Sequence, residues 1–263
     1  MRIKNIVKVM NFHALLHIDE ARRMTEKYIR MESEISKIID IIINNRNFVL
    51  DKITLTPNET LPPLNIFIGS DLSFSGSLNS QVNSVMLGDD ESEKIVVGRK
   101  LRQGSASNVR LAMSKDEFDE EFFRVEEVIE DSIFHLRHSS INVVYNHYYY
   151  AGRIALREKR IFPIAVASDP ESYTEDFVIE GNPDRLLRSL TSTFSSYEVR
   201  LAAISSYASE NVIRQNTTTE SLKKIEEIEE EEWRVQRKVQ KAKAFEKVLD
   251  SYVKKIAHRE ARQ

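Results

Sequence analysis

Residues 184–258 read DRLLRSLTSTFSSYEVRLAAISSYASENVIRQNTTTESLKKIEEIEEEEWRVQRKVQKAKAFEKVLDSYVKKIAH, with neither proline nor glycine anywhere after Pro183. Apolar residues recur in alternating steps of three and four. Leu190, Phe194, Tyr197, Leu201, Ile204 and Ala208 form one run; Val235, Val239, Ala242, Phe245, Leu249, Tyr252 and Ile256 form another. Such steps put side chains on one stripe of an α-helix. The spacing therefore predicts a single amphipathic helix, roughly 110 Å long at 1.5 Å per residue. No single globular core covers that length, so the helix needs a partner.

The other end of the chain supplies one. Ile3, Val7, Met10, Ala14, His17, Ala21, Met24, Tyr28, Met31, Ile35, Ile38 and Ile42 keep a 4-3 spacing without a break. That is a heptad seam with one polar position, His17. Met1 stands two residues before the first seam residue, and the expectation is that no signal or transit peptide precedes the helix. The expectation is an antiparallel coiled coil of residues 1–47 and 184–263, with residues 48–183 forming a central domain held beside it.

Composition agrees. Of 263 residues, 41% are hydrophobic and 30% charged, with only seven glycines and six prolines, a balance that favours long helices over a loop-rich sandwich. A net charge of −3 gives no electrostatic case for nucleic acid or for an anionic membrane surface. The absence of cysteine excludes disulfides and thiolate metal sites and fits a cytoplasmic protein. No apolar run reaches the length of about 20 residues needed to span a bilayer, so no direct membrane insertion is expected.

Between the helices, Leu64–Ile68 and Lys94–Val97 read as buried strands and Leu78–Met86 as a short helix. Lys115–Leu136 reads as one helix with Phe118, Phe122, Val125, Ile129 and Ile133 on a single face. Ile141–Tyr150 and Ile154–Ile164 read as strands lying side by side. Phe48–Pro63 reads as loop, as does the acidic segment Asp169–Asp176, with a short strand at Phe177–Glu180. Alternating strands and helices make an α/β, Rossmann-like sheet domain.

The residues that could carry chemistry are few. Gly69-Ser70-Asp71 follows a strand, but no Gly-Lys-Ser/Thr or dinucleotide spacing follows it. His13 and His17 lie one helical turn apart without the glutamate of the zinc-protease motif or an evident third ligand, and seam polarity accounts for them better. The acidic turn Asp89, Asp90, Glu91 and Glu93 reads as a solvated loop. No nucleophile pairs with a base, so no catalytic, cofactor or metal residues are assigned. The acidic run Glu226–Glu232 is followed by a basic band, Arg234, Arg237, Lys238 and Lys241. It reads either as an ordinary solvated face, with Glu230 and Arg234 an i, i+4 pair, or as a surface for acidic partner loops.

Several short motifs resemble the gamma subunit, the central rotor stalk of F-type rotary ATPases and ATP synthases. They are Ala21-Arg22-Arg23 on the first helix, the loop from Gly69-Ser70-Asp71 to Asn79, and Gly98-Arg99-Lys100 after a strand. Val144-Tyr145-Asn146, Phe162-Pro163-Ile164 and Ala208-Ser209-Glu210 with Arg214 complete the series in the family's order. The chain departs from the family in lacking the arginine and two glycines usual between Asp71 and Asn79. It also lacks the arginine-glutamine pair expected near Arg237, and ends in charged residues where the family has a small apolar tip. The resemblance implies a diverged central stalk without an active site of its own. Its implied partners are a catalytic alpha/beta-type ATPase hexamer, an epsilon-type stalk subunit and a membrane rotor ring. It implies a peripheral position on the inner face of the membrane within that complex. Asp71, Asn79, Ser209, Glu210 and Arg214, with the basic band, are the expected partner contacts. The competing readings are a non-rotating coiled-coil scaffold and an α/β enzyme with helical extensions.

Overall fold

A computed structural model describes residues 2–44, 56–71, 77–149, 153–164 and 181–260. The chain forms two compact units, His13–Gln215 and a smaller one of Met1–Phe12 with Asn216–Gln263. These cuts fall inside the long helices, whereas the sequence places domain boundaries at their ends.

In the larger unit, five strands form one sheet: β1 (Leu64–Ile68), β2 (Glu93–Val97), β3 (Val109–Met113), β4 (Ile141–Tyr148) and β5 (Ile154–Phe162). Their order is β3-β2-β1-β4-β5, parallel except for β5, which returns antiparallel beside β4. The two-residue period of a strand sends alternate side chains to opposite faces. Phe67, Val96 and Val144 meet Val82 and Met86 of helix α2 (Leu78–Leu87) on one face. Ile66, Ile68, Ile95 and Val143 meet Val125, Ile129 and Ile133 on the other, with Val199 and Ala202 of the last helix beside them. Each of these fully buried aliphatic or aromatic side chains contributes about 1.5–3 kcal/mol.

Two features depart from the expected elements. The strand β3 is absent from the sequence reading, because an edge strand with burial on only one side gives a short, broken apolar signal; Arg110, ion-paired with Glu93 and Asp131, and the exposed Ala112 alternate with the buried Leu111 and Met113. The helix expected over Lys115–Leu136 is two helices, α3 (Lys115–Glu120) and α4 (Phe123–His135). Ser114 starts α3 with a capping box to Glu117. A bend at Glu121–Phe122 lets Phe118 and Phe122 both reach the core, their ring centroids 5.0 Å apart.

The long helices are α1 (Arg2–Asn44) and α5 (Pro183–Glu260). Asn182 caps α5 by accepting from the Arg185 N–H at 3.1 Å, and Pro183 takes the first helical position, where no N–H is needed. Within the larger unit, Ile39 and Ile42 pack on Leu187 and Phe194, Tyr28 meets Tyr197 and His17 meets Tyr207. Numbers rise on one helix as they fall on the other, so the pairing is antiparallel. Within the smaller unit the sense is the same: Lys4 meets Glu226 at 3.4 Å and Glu229 at 2.7 Å, while Asn11 donates to Thr218 and Thr219 at 2.9 and 2.8 Å.

The seam itself is rotated from the expected one. Eight of its twelve positions hold: Val7, Met10, Ala14, His17, Ala21, Tyr28, Ile35 and Ile42 are buried or half-buried. At the other four positions Ile3, Met24, Met31 and Ile38 are exposed, and Lys4, Asn11, Ile18, Thr25, Glu32 and Ile39, each one residue past an alternate seam position, are buried or half-buried as well. Polar side chains are tolerated there because α5 or the helix itself offers partners, as for Lys4 and Asn11; Thr25 bonds the Ala21 carbonyl at 2.8 Å.

The expected pairing of α1 with the end of the chain is also corrected. Lys4 already meets Glu226 and Glu229, so α1 runs out there. Beyond them Val235, Val239, Phe245, Leu249 and Tyr252 are exposed, with no partner among the described residues. The reason is length: α1 has 43 residues and α5 has 78. The expected loop and strand over 169–180 lie outside the described residues, as does most of the loop before Pro63.

Candidate functional site

The family-like residues of the central loop converge at the carboxyl ends of β1 and β2. Gly69 closes β1 by donating to the Val97 carbonyl at 2.8 Å. A side chain at Gly69 would lie 2.7 Å from Leu101, and Gly98 holds a φ of +123° where a β-carbon would lie 3.0 Å from the Gly69 carbonyl carbon and 3.1 Å from the Ser70 nitrogen. Only glycine fits that conformation at so close an approach. Asn79, in the first turn of α2, accepts from the Ser70 N–H at 2.9 Å. Asp71 accepts from two backbone N–H groups, Arg99 at 2.7 Å and Lys115 at 3.0 Å, with the Arg99 guanidinium 3.6 Å away. One carboxylate thus joins the end of β1, the turn after β2 and the start of α3.

The second group lies on α5. Ser209 is fully buried and its hydroxyl donates towards the carbonyls of Asn146 on β4, at 3.0 Å, and Ser205, at 2.9 Å. Glu210, 3% exposed, faces Ser70 and the Arg214 guanidinium at 3.5 Å. Burial pushes its carboxyl above the ordinary glutamate value, against the smaller opposing effects of Arg214, Ser70 and Lys115. The order in which sequence reasoning found Asp71, Asn79, Ser209, Glu210 and Arg214 therefore maps onto one place. Ser209 and Glu210 join α5 to the sheet, while Asp71 and Asn79 tie the end of β1 to the turn after β2, α3 and α2.

The basic band lies in the smaller unit and is exposed along its length. Arg234 pairs with Glu230 at 3.0 Å and the Arg237 guanidinium stacks over Trp233 at 3.4 Å from the ring centre, while Lys238 and Lys241 are solvent-facing. Part of the preceding acidic run has a role the sequence reading missed. Glu226 and Glu229 grip Lys4, raising the ammonium's pKa, chiefly through the Glu229 hydrogen bond. The signal was present in the sequence as Lys4, set directly after Ile3 at the start of the apolar repeat.

Two further polar clusters were unforeseen. His138 lies between the Ser132 hydroxyl, at 2.8 Å, and the Glu93 carboxylate, at 2.7 Å. The residue types match a hydrolytic triad, but Ser132 and His138 are 0% and 1% exposed, at the amino ends of the strands. No substrate reaches them, and the chain of bonds fastens α4 to β2. At the opposite side of the sheet, Lys159 of β5 reaches the buried Glu198 of α5 at 2.6 Å. Glu32 of α1 lies against the same pair; burial, then the Glu198 charge, raises its pKa. Among the described residues no three acidic, histidine or cysteine side chains converge as a metal site would require, and no helix is long and apolar enough to cross a membrane.

Comparison with known proteins gives one consistent answer. The family model described as ATP synthase matches residues 1–245. No curated protein matches the chain by sequence. Among solved structures, a chain of the Tetrahymena thermophila mitochondrial ATP synthase central stalk and c-ring is similar at 15% identity with a TM-score of 0.55, covering 82% of this chain and 99% of that one. A chain of the Euglena gracilis mitochondrial ATP synthase, from an OSCP/F1/c-ring structure, is 14% identical with a TM-score of 0.46, over 94% of this chain and 96% of the other. The fold is shared with the Tetrahymena chain, and the match over nearly the whole sequence places this chain in the gamma family, the central stalk of F-type ATP synthases.

Proposed function

We propose that this chain turns inside a ring of catalytic subunits and couples nucleotide turnover there to rotation, with ion translocation or another mechanical output at its far end. The observation that carries this reading is the family match over residues 1–245. The two helices fit the task. A torque-bearing shaft needs a continuous seam and no glycine hinge, and α5 has no glycine or proline after its first residue. The partners in this proposal are a catalytic alpha/beta-type hexamer, an epsilon-type stalk subunit and a membrane rotor ring. The location that follows is peripheral, at the inner face of a membrane within the complex.

Of the expected partner contacts, the basic band is the one with free reach to a partner. Arg234, Arg237, Lys238 and Lys241 are all exposed, on the part of α5 beyond α1. Attraction between exposed charges is screened and weakly directional, which suits a surface that must pass successive acidic loops without locking to one. The test is a fourfold change of these residues to glutamine and, separately, to glutamate, in the assembled complex. Glutamine should lower coupled turnover modestly and glutamate strongly, with the losses growing at low salt. Helix propensity changes little in either series. Wild-type turnover in the assembled glutamate variant at low salt would make the band a solvated face. Recovery of the chain with cytoskeletal partners and no nucleotide hydrolase would favour the scaffold reading instead.

A further inference from the structure

Two glutamates and one lysine meet where α1 and α5 pass the edge strand β5, within the larger unit. Lys159 of β5 reaches Glu198 of α5 at 2.6 Å, and Glu198 is 3% exposed. Glu32 comes to the same place from α1. One turn before it Tyr28 meets Tyr197, their ring centroids 5.8 Å apart, and two turns after it Ile39 packs in the cluster of Phe194. That register sets the Glu32 carboxyl against Glu198, with which it shares a hydrogen bond. A cavity of about 570 Å³ lies beside the three side chains, and its rim includes the exposed Arg22 and Glu26, so solvent reaches it.

The count of charges makes this contact conditional. One ammonium neutralises one carboxylate, and a second carboxyl is stable beside that pair as the neutral acid, which can donate to Glu198 instead of repelling it. The cavity is also lined by Arg157 from β5, by Tyr145, His147 and Tyr148 from β4, and by Arg22 and Glu26 from α1 itself, but the charges that act on Glu32 are those of Glu198 and Lys159. We infer that Glu32, Glu198 and Lys159 form a proton-dependent latch between α1 and α5. It is closed while Glu32 carries a proton that it donates to Glu198, and it opens when that proton passes to solvent and the ionised Glu32 turns into the cavity to be hydrated. Burial, and then the Glu198 charge, raises the Glu32 pKa in the closed form, whereas in an opened α1 it returns to the ordinary glutamate value. The closed form is therefore fully favoured below the ordinary value and loses that advantage as pH rises through the raised one. The stalk reading makes no use of this device, through which the grip of α1 on α5 follows the pH around the chain.

The experiment is amide hydrogen exchange on the full chain from about pH 4 to about pH 8, a range that brackets the ordinary glutamate value, with each rate divided by its intrinsic rate at that pH. Residues 28–36 of α1 are the reporter and α4, in the same unit, is the reference. In the wild type, protection of the reporter should fall several-fold across the range while α4 does not follow. Glu32→Gln keeps a donor for Glu198 and cannot ionise, so protection should stay at the wild-type acid level throughout. Glu198→Gln leaves Lys159 to a single carboxylate, so the dependence should reverse, protection rising as Glu32 ionises and pairs with Lys159. A side chain that serves packing alone gives no reversal. The inference is overturned if wild-type protection is flat or tracks α4, or if Glu32→Gln keeps the wild-type fall. It is also overturned if Glu198→Gln folds and fails to reverse. Should that variant not fold, the wild-type and Glu32→Gln curves decide. All are measured on the free chain, so they stand whether or not it turns in a catalytic ring.

Discussion

Replacing Asp71 by alanine tests whether the family-like loop is an internal fastening or a partner contact. The side chain is 10% exposed and accepts from the backbone N–H groups of Arg99 and Lys115 at 2.7 and 3.0 Å. Hydrogen bonds to a charged acceptor are worth about 1.5–3 kcal/mol each, and an orphaned N–H costs about 1–3 kcal/mol where water cannot reach it. The Arg99 amide is at the surface and recovers part of that from water; the Lys115 amide is half-buried and recovers less. The exposed Arg99 guanidinium, 3.6 Å from the carboxylate, adds less than about 1 kcal/mol after screening. The sum is about 3 kcal/mol, released locally around the ends of β1, β2 and α3. The single tryptophan, Trp233, lies in the smaller unit and would not sense this, so fluorescence is the wrong assay. Amide hydrogen exchange at Arg99 and Lys115 is direct: each tenfold change corresponds to about 1.4 kcal/mol, so exchange should quicken roughly a hundredfold. Asp71→Asn keeps one acceptor oxygen and should show about a tenfold change. If Asp71→Ala leaves both amides within about threefold of wild type, the fastening is not carried by this carboxylate. A loss of turnover in the assembled complex would then have to come from a partner.

The remaining expectations are shorter. Glu32→Gln should stabilise the larger unit at neutral pH. The folded Glu32 carboxyl titrates above its unfolded value, by burial and then by the Glu198 charge. Wild-type stability is therefore highest below the unfolded value and is lost as pH rises through the folded one, so the variant's advantage should appear only above that window in pH-dependent unfolding. Asn11→Cys with Thr218→Cys should crosslink within one chain under mild oxidation, with no native cysteine to interfere; crosslinks found only between chains would refute the antiparallel pairing. Ile39→Ala should cost about 2–5 kcal/mol in urea unfolding of the larger unit, since Ile39 is 1% exposed between Leu187 and Phe194, whereas Ile38→Ala, at 45% exposure, should cost little.

What the sequence determined alone is whatever follows from local repeats. Steps of three and four defined α1 and α5 to within a few residues, and short apolar runs closed by glycine defined β1 and β2. The motif order identified the family without a contact being known. What only the tertiary structure decided is every choice in which two local readings were equally regular. The α1 stripe through Ile3, Met24 and Ile38 is as periodic as the one through Lys4, Thr25 and Ile39. Burial goes to the second because a polar side chain pays nothing at a seam where it finds a partner, and Lys4 and Asn11 find theirs on α5, more than 200 residues away. The strand β3 and the bend before α4 were invisible for a related reason, since an edge strand and a helix break are settled by which side chains reach a core built from distant segments. Asp71, Asn79, Ser209 and Glu210 were legible as a motif but not as a fastening. Their role depends on backbone groups of β4, α3 and the turn after β2, and sequence periodicity carries no record of which backbone N–H or carbonyl a folded chain leaves without a partner.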